Sequence, residues 1–238
     1  MKLSVIMPVY NEAATIAESV GRVVVAQVPI PKELIIVDDG STDGTRELLR
    51  QISPDVATVL FHERNQGKGA AIRTALEHVS GEIVLIQDAD LEYDPADYPA
   101  LIQPILDGAA QVVYGSRVLE AGNSYSHLRF YLGGRLLSWI ANLLYGIRIT
   151  DEPTCYKAFR RDLLKELDLK CRGFEFCPEV TAKVARRGIP IYEVPIHYRP
   201  RSTREGKKIC WKDGLYAIWI LVRYRFGRRG EGGARSRP

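Results

Sequence analysis

The first half of the chain alternates short apolar runs with amphipathic stretches. Leu3-Ser4-Val5-Ile6-Met7-Pro8-Val9 is an apolar run with β-branched content and predicts a buried strand. Asn11 follows as an expected N-cap, and Ile16, Val20 and Val23/Val24 recur on one face of the helix after it. Residues 34–37 predict a second strand, Asp38-Asp39-Gly40-Ser41-Thr42-Asp43-Gly44 its turn, and a helix then runs to about Ile52. Strands are expected at 56–61, 82–87 and 111–114, with helices at 67–79 and 96–106 between them. Strand–helix alternation of this kind predicts an α/β fold, a mostly parallel central sheet with helices on both faces.

The pattern changes near residue 118. Residues 127–146 carry a long amphipathic pattern of large apolar groups, 180–187 read as helix and 191–198 as an alternating strand. Residues 213–226 read as a terminal helix capped by Asp213, and the Gly- and Arg-rich end as disordered. The chain therefore divides into a first half (1–118), a second half of the same domain (119–209), a terminal amphipathic helix (210–226) and a basic tail (227–238).

Charge sharpens that division. The net charge is +4, but residues 199–238 hold twelve Lys/Arg against three Asp/Glu. A basic end on an acidic body points to an anionic partner, nucleic acid or membrane. No apolar stretch reaches the ~18 residues of a transmembrane helix. No signal peptide is expected, because Met1-Lys2 leads straight into the first strand. Cys155, Cys171, Cys177 and Cys210 form no Cys-x-x-Cys pair and read as reduced structural thiols of a cytoplasmic protein.

The chemistry lies where apolar runs stop. Glu82-Ile83-Val84-Leu85-Ile86-Gln87 ends on Asp88-Ala89-Asp90. Parallel sheets bind ligands at the carboxyl ends of their strands. Two carboxylates at i and i+2 repel unless a divalent cation stands between them and a phosphate. A lone Asp-x-Asp is ordinarily a turn or a cap, but here it has neighbours: Pro8-Val9-Tyr10-Asn11-Glu12, Asp38-Asp39 and Gly115-Ser116-Arg117 also close strands. The four clusters converge on one crevice.

With these motifs the chain resembles glycosyltransferase family 2 and its GT-A fold. Within it, the chain is most similar to the polyprenyl-phosphate hexose synthases, the dolichol-phosphate mannose synthases among them. The resemblance is carried by Ser4–Glu12, Ile36–Thr45, Asn65-Gln66-Gly67-Lys68-Gly69, Gln87–Glu92 and Tyr114-Gly115-Ser116-Arg117, and more loosely by Arg201 and Glu205-Gly206-Lys207-Lys208. It implies that Pro8, Tyr10, Glu12 and Asp38 line the nucleoside pocket, with Asp39 towards the ribose and Ala89 beside the donor. It places Lys68 near the diphosphate; the other reading is a solvated helix-start lysine. Asp88 and Asp90 would hold Mg2+ or Mn2+ on the diphosphate. Glu92 continues that set at i+4, where the family often has Gln; a surface carboxylate is the other reading.

The resemblance also implies a phosphate acceptor, which is ionised near neutral pH and attacks without a general base. Arg117, Arg129, Arg201, Lys207 and Lys208 are the candidate clamps, with Arg117 and Asp90 the catalytic pair. Arg135 is the substitute for Arg129, and Gly133 stands where the family often has Ser. Asp151-Glu152-Pro153-Thr154-Cys155-Tyr156-Lys157-Ala158-Phe159 replaces the acceptor loop. His127 and His197 receive no role.

The expected reaction is inverting hexosyl transfer to a polyprenyl phosphate, with GDP-mannose the first donor and UDP-glucose the second. A saccharide acceptor is the alternative and would need a base, Glu175 or Asp151. A nucleotide sensor without turnover is another; nucleic-acid binding is disfavoured by a tail with few interleaved aromatics. Leu215–Val222 is too short to span a bilayer, and its aromatic and basic flanks suit an interfacial helix on the cytoplasmic membrane surface. A helix packed on the core is the competing reading. Family members often carry C-terminal membrane spans. A chain lacking them would bind the membrane peripherally or through a membrane subunit.

Overall fold

The computed structural model describes residues 1–124, 128–201 and 211–227. Lys207, Lys208, His127, Cys210 and tail residues 228–238 lie outside the described residues. In chain order the elements are β1 (Leu3–Val9), α1 (Ile16–Val25), β2 (Lys32–Asp38), α2 (Thr45–Leu49), β3 (Thr58–Phe61), α3 (Lys68–Leu76), β4 (Ile83–Ile86) and α4 (Tyr98–Leu106). They continue as β5 (Val112–Ser116), α5 (Leu128–Tyr145), β6 (Lys157–Arg160), α6 (Arg161–Glu166), α7 (Phe176–Arg186), β7 (Tyr192–Pro195) and α8 (Trp211–Phe226).

The strands form one seven-stranded sheet in the order β3-β2-β1-β4-β6-β5-β7. All pairings are parallel except those of β6, which runs antiparallel to both β4 and β5. The most apolar runs take the centre: every residue of β1 and of β4 is buried, as expected for strands covered on both sides. The outer strands β3 and β7 are partly exposed. α3 packs on β1 and β2, and α4 on β5 and β6. A second, smaller core joins α5, α7 and α8 through Leu137, Ala141, Ala182, Ala217 and Leu221.

The ends of β1, β2, β4 and β5 therefore share one edge of the sheet. Because β6 is antiparallel, its first residue, Lys157, lies at that same edge, opposite Tyr114 of β5. Sequence periodicity missed β6: Lys157-Ala158-Phe159-Arg160 opens and closes on cations and reads as loop. It also placed the start of α1 too early. Asn11 does not cap α1 but adopts a left-handed conformation (φ 50°) and accepts from the Thr42 amide at 2.8 Å. The chain turns once more, through Glu12, before the helix begins at Ile16.

Candidate active site

The β1 end delivers Pro8 within the strand, half-buried Tyr10, and buried Glu12. Glu12 is fixed by its own amide, which donates to Thr45 Oγ1 at 2.8 Å, and by Thr15 Oγ1 on its carboxylate at 3.0 Å. Its two carboxylate oxygens each accept from Arg201, both at 2.9 Å.

The β2 end delivers Asp38 and Asp39, and both turn inward. Asp38 is fully buried and accepts from Arg46 Nε at 2.8 Å and the Ser41 amide at 3.3 Å. Asp39 accepts from the Gln66 amide at 2.9 Å and the Gly67 amide at 2.7 Å, and meets His62 Nδ1 at 2.7 Å. The other ring nitrogen of His62 reaches Thr74 Oγ1 of α3 at 2.9 Å. Asp39 thus grips the turn that starts α3. Gly67 in that turn has φ +98°, and a Cβ there would collide with the Arg172 carbonyl. His62 carries no motif, and nothing in the sequence pointed to it.

That turn presents Lys68. Its ammonium sits 2.5 Å from one Asp88 oxygen and 2.8 Å from the other, with the Cys155 thiol at 3.6 Å. Burial pulls the ammonium towards its neutral form, but the adjacent Asp88 outweighs it and holds the pKa above its ordinary value. Asp90 lies 3.4 Å from Arg201 and accepts the Glu92 amide at 3.1 Å. Leu91, between them, is held at φ 62°, an uncommon conformation for a branched residue and a strain marker beside these acids. The Ala89 carbonyl accepts from Thr15 Oγ1 at 2.9 Å.

Glu92 faces the strap 198–201. Its carboxylate accepts from Tyr198 Oη at 3.0 Å and from the Arg201 amide at 2.7 Å. Among the described residues no three His, Cys, Asp or Glu side chains converge as a metal set. Asp88 and Asp90 nonetheless fit a hard divalent cation. They are two partly exposed carboxylates, each now facing a side-chain cation, and Mg2+ sites commonly use one or two carboxylates with substrate phosphates completing the shell.

The β5 end delivers Arg117, whose guanidinium fork grips Asp151 through two bonds of 2.7 Å. The Arg117 amide donates to the same carboxylate at 2.9 Å. Burial pushes the Asp151 carboxyl up, but Arg117 outweighs burial and holds it below the usual carboxylate range. The guanidinium carbon lies 5.0 Å from the Tyr198 ring centroid. Tyr198 therefore stands between Arg117 and Glu92, a position that the alternating strand pattern did not mark.

The structure brings together Glu12, Lys68, Asp88, Asp90, Glu92, Arg117 and Arg201. Arg129 lies outside this group, exposed on the first turn of α5 against the Phe130 ring. Arg135, also exposed, donates to the Thr150 carbonyl at 2.9 Å. His197 sits on the surface, paired with Asp97 at 2.8 Å.

The glycosyl transferase family 2 profile matches residues 4–168. The low-salt glycan biosynthesis hexosyltransferase Agl6 of Haloferax volcanii is 32% identical over 93% of this chain, which spans 52% of that protein. The chain thus covers only about half the length of this relative. The undecaprenyl-phosphate mannosyltransferase of Micrococcus luteus is 31% identical over 95% of this chain and 100% of its own length. Among solved structures, glucosyl-3-phosphoglycerate synthase of Mycobacterium tuberculosis with Mn2+, UDP and phosphoglyceric acid aligns with a TM-score of 0.68. It is 25% identical, over 96% of this chain and 80% of that one.

Proposed function

The chain belongs to glycosyl transferase family 2 and has the GT-A fold, and from that premise we propose that it is a metal-dependent inverting hexosyltransferase acting on a polyprenyl phosphate. The carrying observation is the pairing of two partly exposed acids, Asp88 and Asp90, with Lys68 and Arg201 at the edge where the strands end. Acids and cations interleaved in this way suit a diphosphate held through a divalent ion. Asp88 and Asp90 would hold Mg2+ or Mn2+, which stabilises the charge that grows on the departing nucleoside diphosphate. Lys68, at the first position of α3, binds the same diphosphate with the help of the helix N-terminus.

On the acceptor side, Arg117 supplies fixed positive charge to a phosphate monoester and Arg201 supplies exchangeable positive charge. The phosphate oxygen attacks the anomeric carbon from the face opposite the leaving diphosphate, and no side chain has to take its proton. A saccharide acceptor would need a base. Asp151 is poorly suited to that task, since Arg117 depresses its pKa. The Micrococcus relative is named for undecaprenyl phosphate and mannose, which supports GDP-mannose as first donor; the solved glucosyl-3-phosphoglycerate synthase holding UDP supports UDP-glucose as second.

A lipid acceptor is also supported by the outer surface of α5 and α8. Leu132, Leu136, Trp139 and Leu143 of α5 and Leu215, Trp219, Val222 and Phe226 of α8 are each at least 40% exposed. Both sets follow i, i+4, i+7, i+11, one stripe per helix. Tyr145 Oη of α5 donates to the Leu221 carbonyl of α8 at 2.6 Å, tying the two together. Arg223 and Arg225 lie on the last turn of α8. No described helix is long and apolar enough to cross a membrane, so these helices would lie on the bilayer surface.

The test is transfer of radiolabelled sugar from GDP-mannose, and separately UDP-glucose, into an organic phase containing polyprenyl phosphate, with Mg2+ or Mn2+. The expected result is metal-dependent label in the lipid from one of the two donors. Absence of label with both donors, from protein that binds nucleotide and metal, would overturn the donor assignment first and, if other nucleotide sugars fail as well, the acceptor assignment.

A further inference from the structure

The loop between α5 and β6 holds more buried charge than a surface connection needs. Lys157, first residue of β6, has no exposed surface. Its ammonium donates to the Glu152 carbonyl at 2.6 Å and the Thr154 carbonyl at 2.9 Å. It also lies 3.9 Å from the centroid of the Tyr114 ring, its neighbour across β5. Burying an ammonium is unfavourable by several kcal/mol unless its hydrogen bonds are met. Here two carbonyls and an aromatic face meet them.

The two carbonyls flank Pro153, so one cation fixes the middle of the loop. Its two ends carry the chemistry. At one end Asp151 grips Arg117. At the other, the Cys155 thiol lies 3.6 Å from the Lys68 ammonium, and the Cys155 amide donates to Tyr93 Oη at 3.1 Å. The loop also has ties that do not pass through Lys157: the Asp151 amide donates to Glu193 Oε1 at 3.1 Å, and the Cys177 thiol of α7 lies 3.8 Å from the Thr154 carbonyl. The Glu152 amide donates to Ser138 Oγ of α5 at 2.8 Å, and Thr181 of α7 donates to Glu152 Oε1 at 2.9 Å. Among the described residues, Glu152 Oε2 and Thr154 Oγ1 are buried without a hydrogen-bond partner.

We propose that Lys157 is a positioning residue for the transfer reaction: its ammonium sets the shape of the 151–155 loop, and with it the placement of Arg117 on the acceptor side relative to Lys68 on the donor side. This rests on the proposed polyprenyl-phosphate transferase reading. The alternative is a lysine that stabilises the fold and nothing else. The two differ in what they do to each substrate. A stabilising lysine lowers the melting temperature and leaves the Michaelis constants alone. A positioning lysine acts unequally on them. Because the loop bears on Arg117 through the bidentate Asp151 pair but on Lys68 only through a thiol contact, the acceptor side suffers more.

The experiment compares wild type, Lys157→Met and Pro153→Gly in the full chain. It reads melting temperature, binding of UDP and GDP with Mn2+ by calorimetry, kinetics with farnesyl phosphate as acceptor, and the crystal structure of each folded variant. For Lys157→Met we expect nucleotide affinity within about 3-fold of wild type. The acceptor KM should rise and kcat fall, each by about 10-fold. Pro153→Gly, which loosens the same loop without touching the ammonium, should move the same parameters in the same direction by less. It serves if Lys157→Met does not fold. An unchanged acceptor KM in the folded variants, or a loss shared equally with nucleotide binding, overturns the proposal. If wild type transfers no sugar to farnesyl phosphate, the proposed function has failed instead. The crystal structures then decide the positioning claim alone: a loop 151–155 that superimposes on wild type overturns it, and a displaced Asp151–Arg117 pair supports it.

Discussion

Asp88 and Asp90 stand at the end of β4 with side chains 22% and 20% exposed, countered by Lys68 and Arg201. Asp151, in the loop leading into β6, is 3% exposed and locked to Arg117 by two short bonds. Both pairs lie on the same edge of the sheet. The first is accessible, so an incoming cation and phosphate can take over its partners. The second is sealed, so its geometry is fixed before any ligand arrives. Binding sites need both kinds: exchangeable charge where the ligand sits and permanent charge where the walls are held.

The largest effect on transfer should come from the exchangeable side. Asp90→Ala should lower transfer by about 100-fold or more, comparable to deleting one electrostatic stabiliser of a transition state, and should weaken Mn2+ binding followed by electron paramagnetic resonance. Full transfer by this variant would remove Asp90 from the metal site. On the sealed side, Asp151→Asn should destabilise the fold by about 3–5 kcal/mol in denaturant titration at pH 7, because it leaves Arg117 without its buried partner. The sign with pH follows from the depressed carboxyl. Its stabilisation is fully present above the unfolded value of about 3.9 and is lost as pH falls through the lower folded value. The deficit of Asp151→Asn should therefore shrink in acid below about pH 4. A deficit independent of pH would mean that the charge of the pair is not what holds the loop. The smallest effect tests whether Arg201 is truly exchangeable. Arg201→Gln should bind Mn2+ about 3-fold more tightly in the absence of nucleotide, since a resident cation no longer competes for Asp90. Weaker binding would make Arg201 part of the wall.

The same contrast decides what could be read from the sequence. β1 and β4 were legible because their apolar runs are buried along their whole length, and Asp88 and Asp90 because three other polar clusters close strands alongside them. The clustering of Glu12, Asp38 and Asp39 at strand ends was legible too. Which way these acids face was not. Asp38 pairs with Arg46 and Asp39 with His62, and both partners come from outside the motif. β6 was hidden because its first residue is a lysine with no exposed surface, and burial of a charge depends on partners five and three residues upstream that no periodicity encodes. Arg129 and Arg135 shared one expectation; the structure places both exposed on α5, Arg135 on the Thr150 carbonyl beside Asp151.

The reversed strand β6 also has a meaning in time. The β4 edge to which it pairs is complete once Ile86 has been made, yet Ala158, which pairs with Leu85, is made some seventy residues later. At bacterial to eukaryotic synthesis rates that leaves the nascent chain with an apolar, unpaired strand edge for roughly 4–14 s. Such an edge is a template for the wrong strand. A ribosome that pauses within residues 87–157 lengthens that exposure, so the order in which this sheet is filled puts the risk of mispairing on the nascent chain more than on the finished protein.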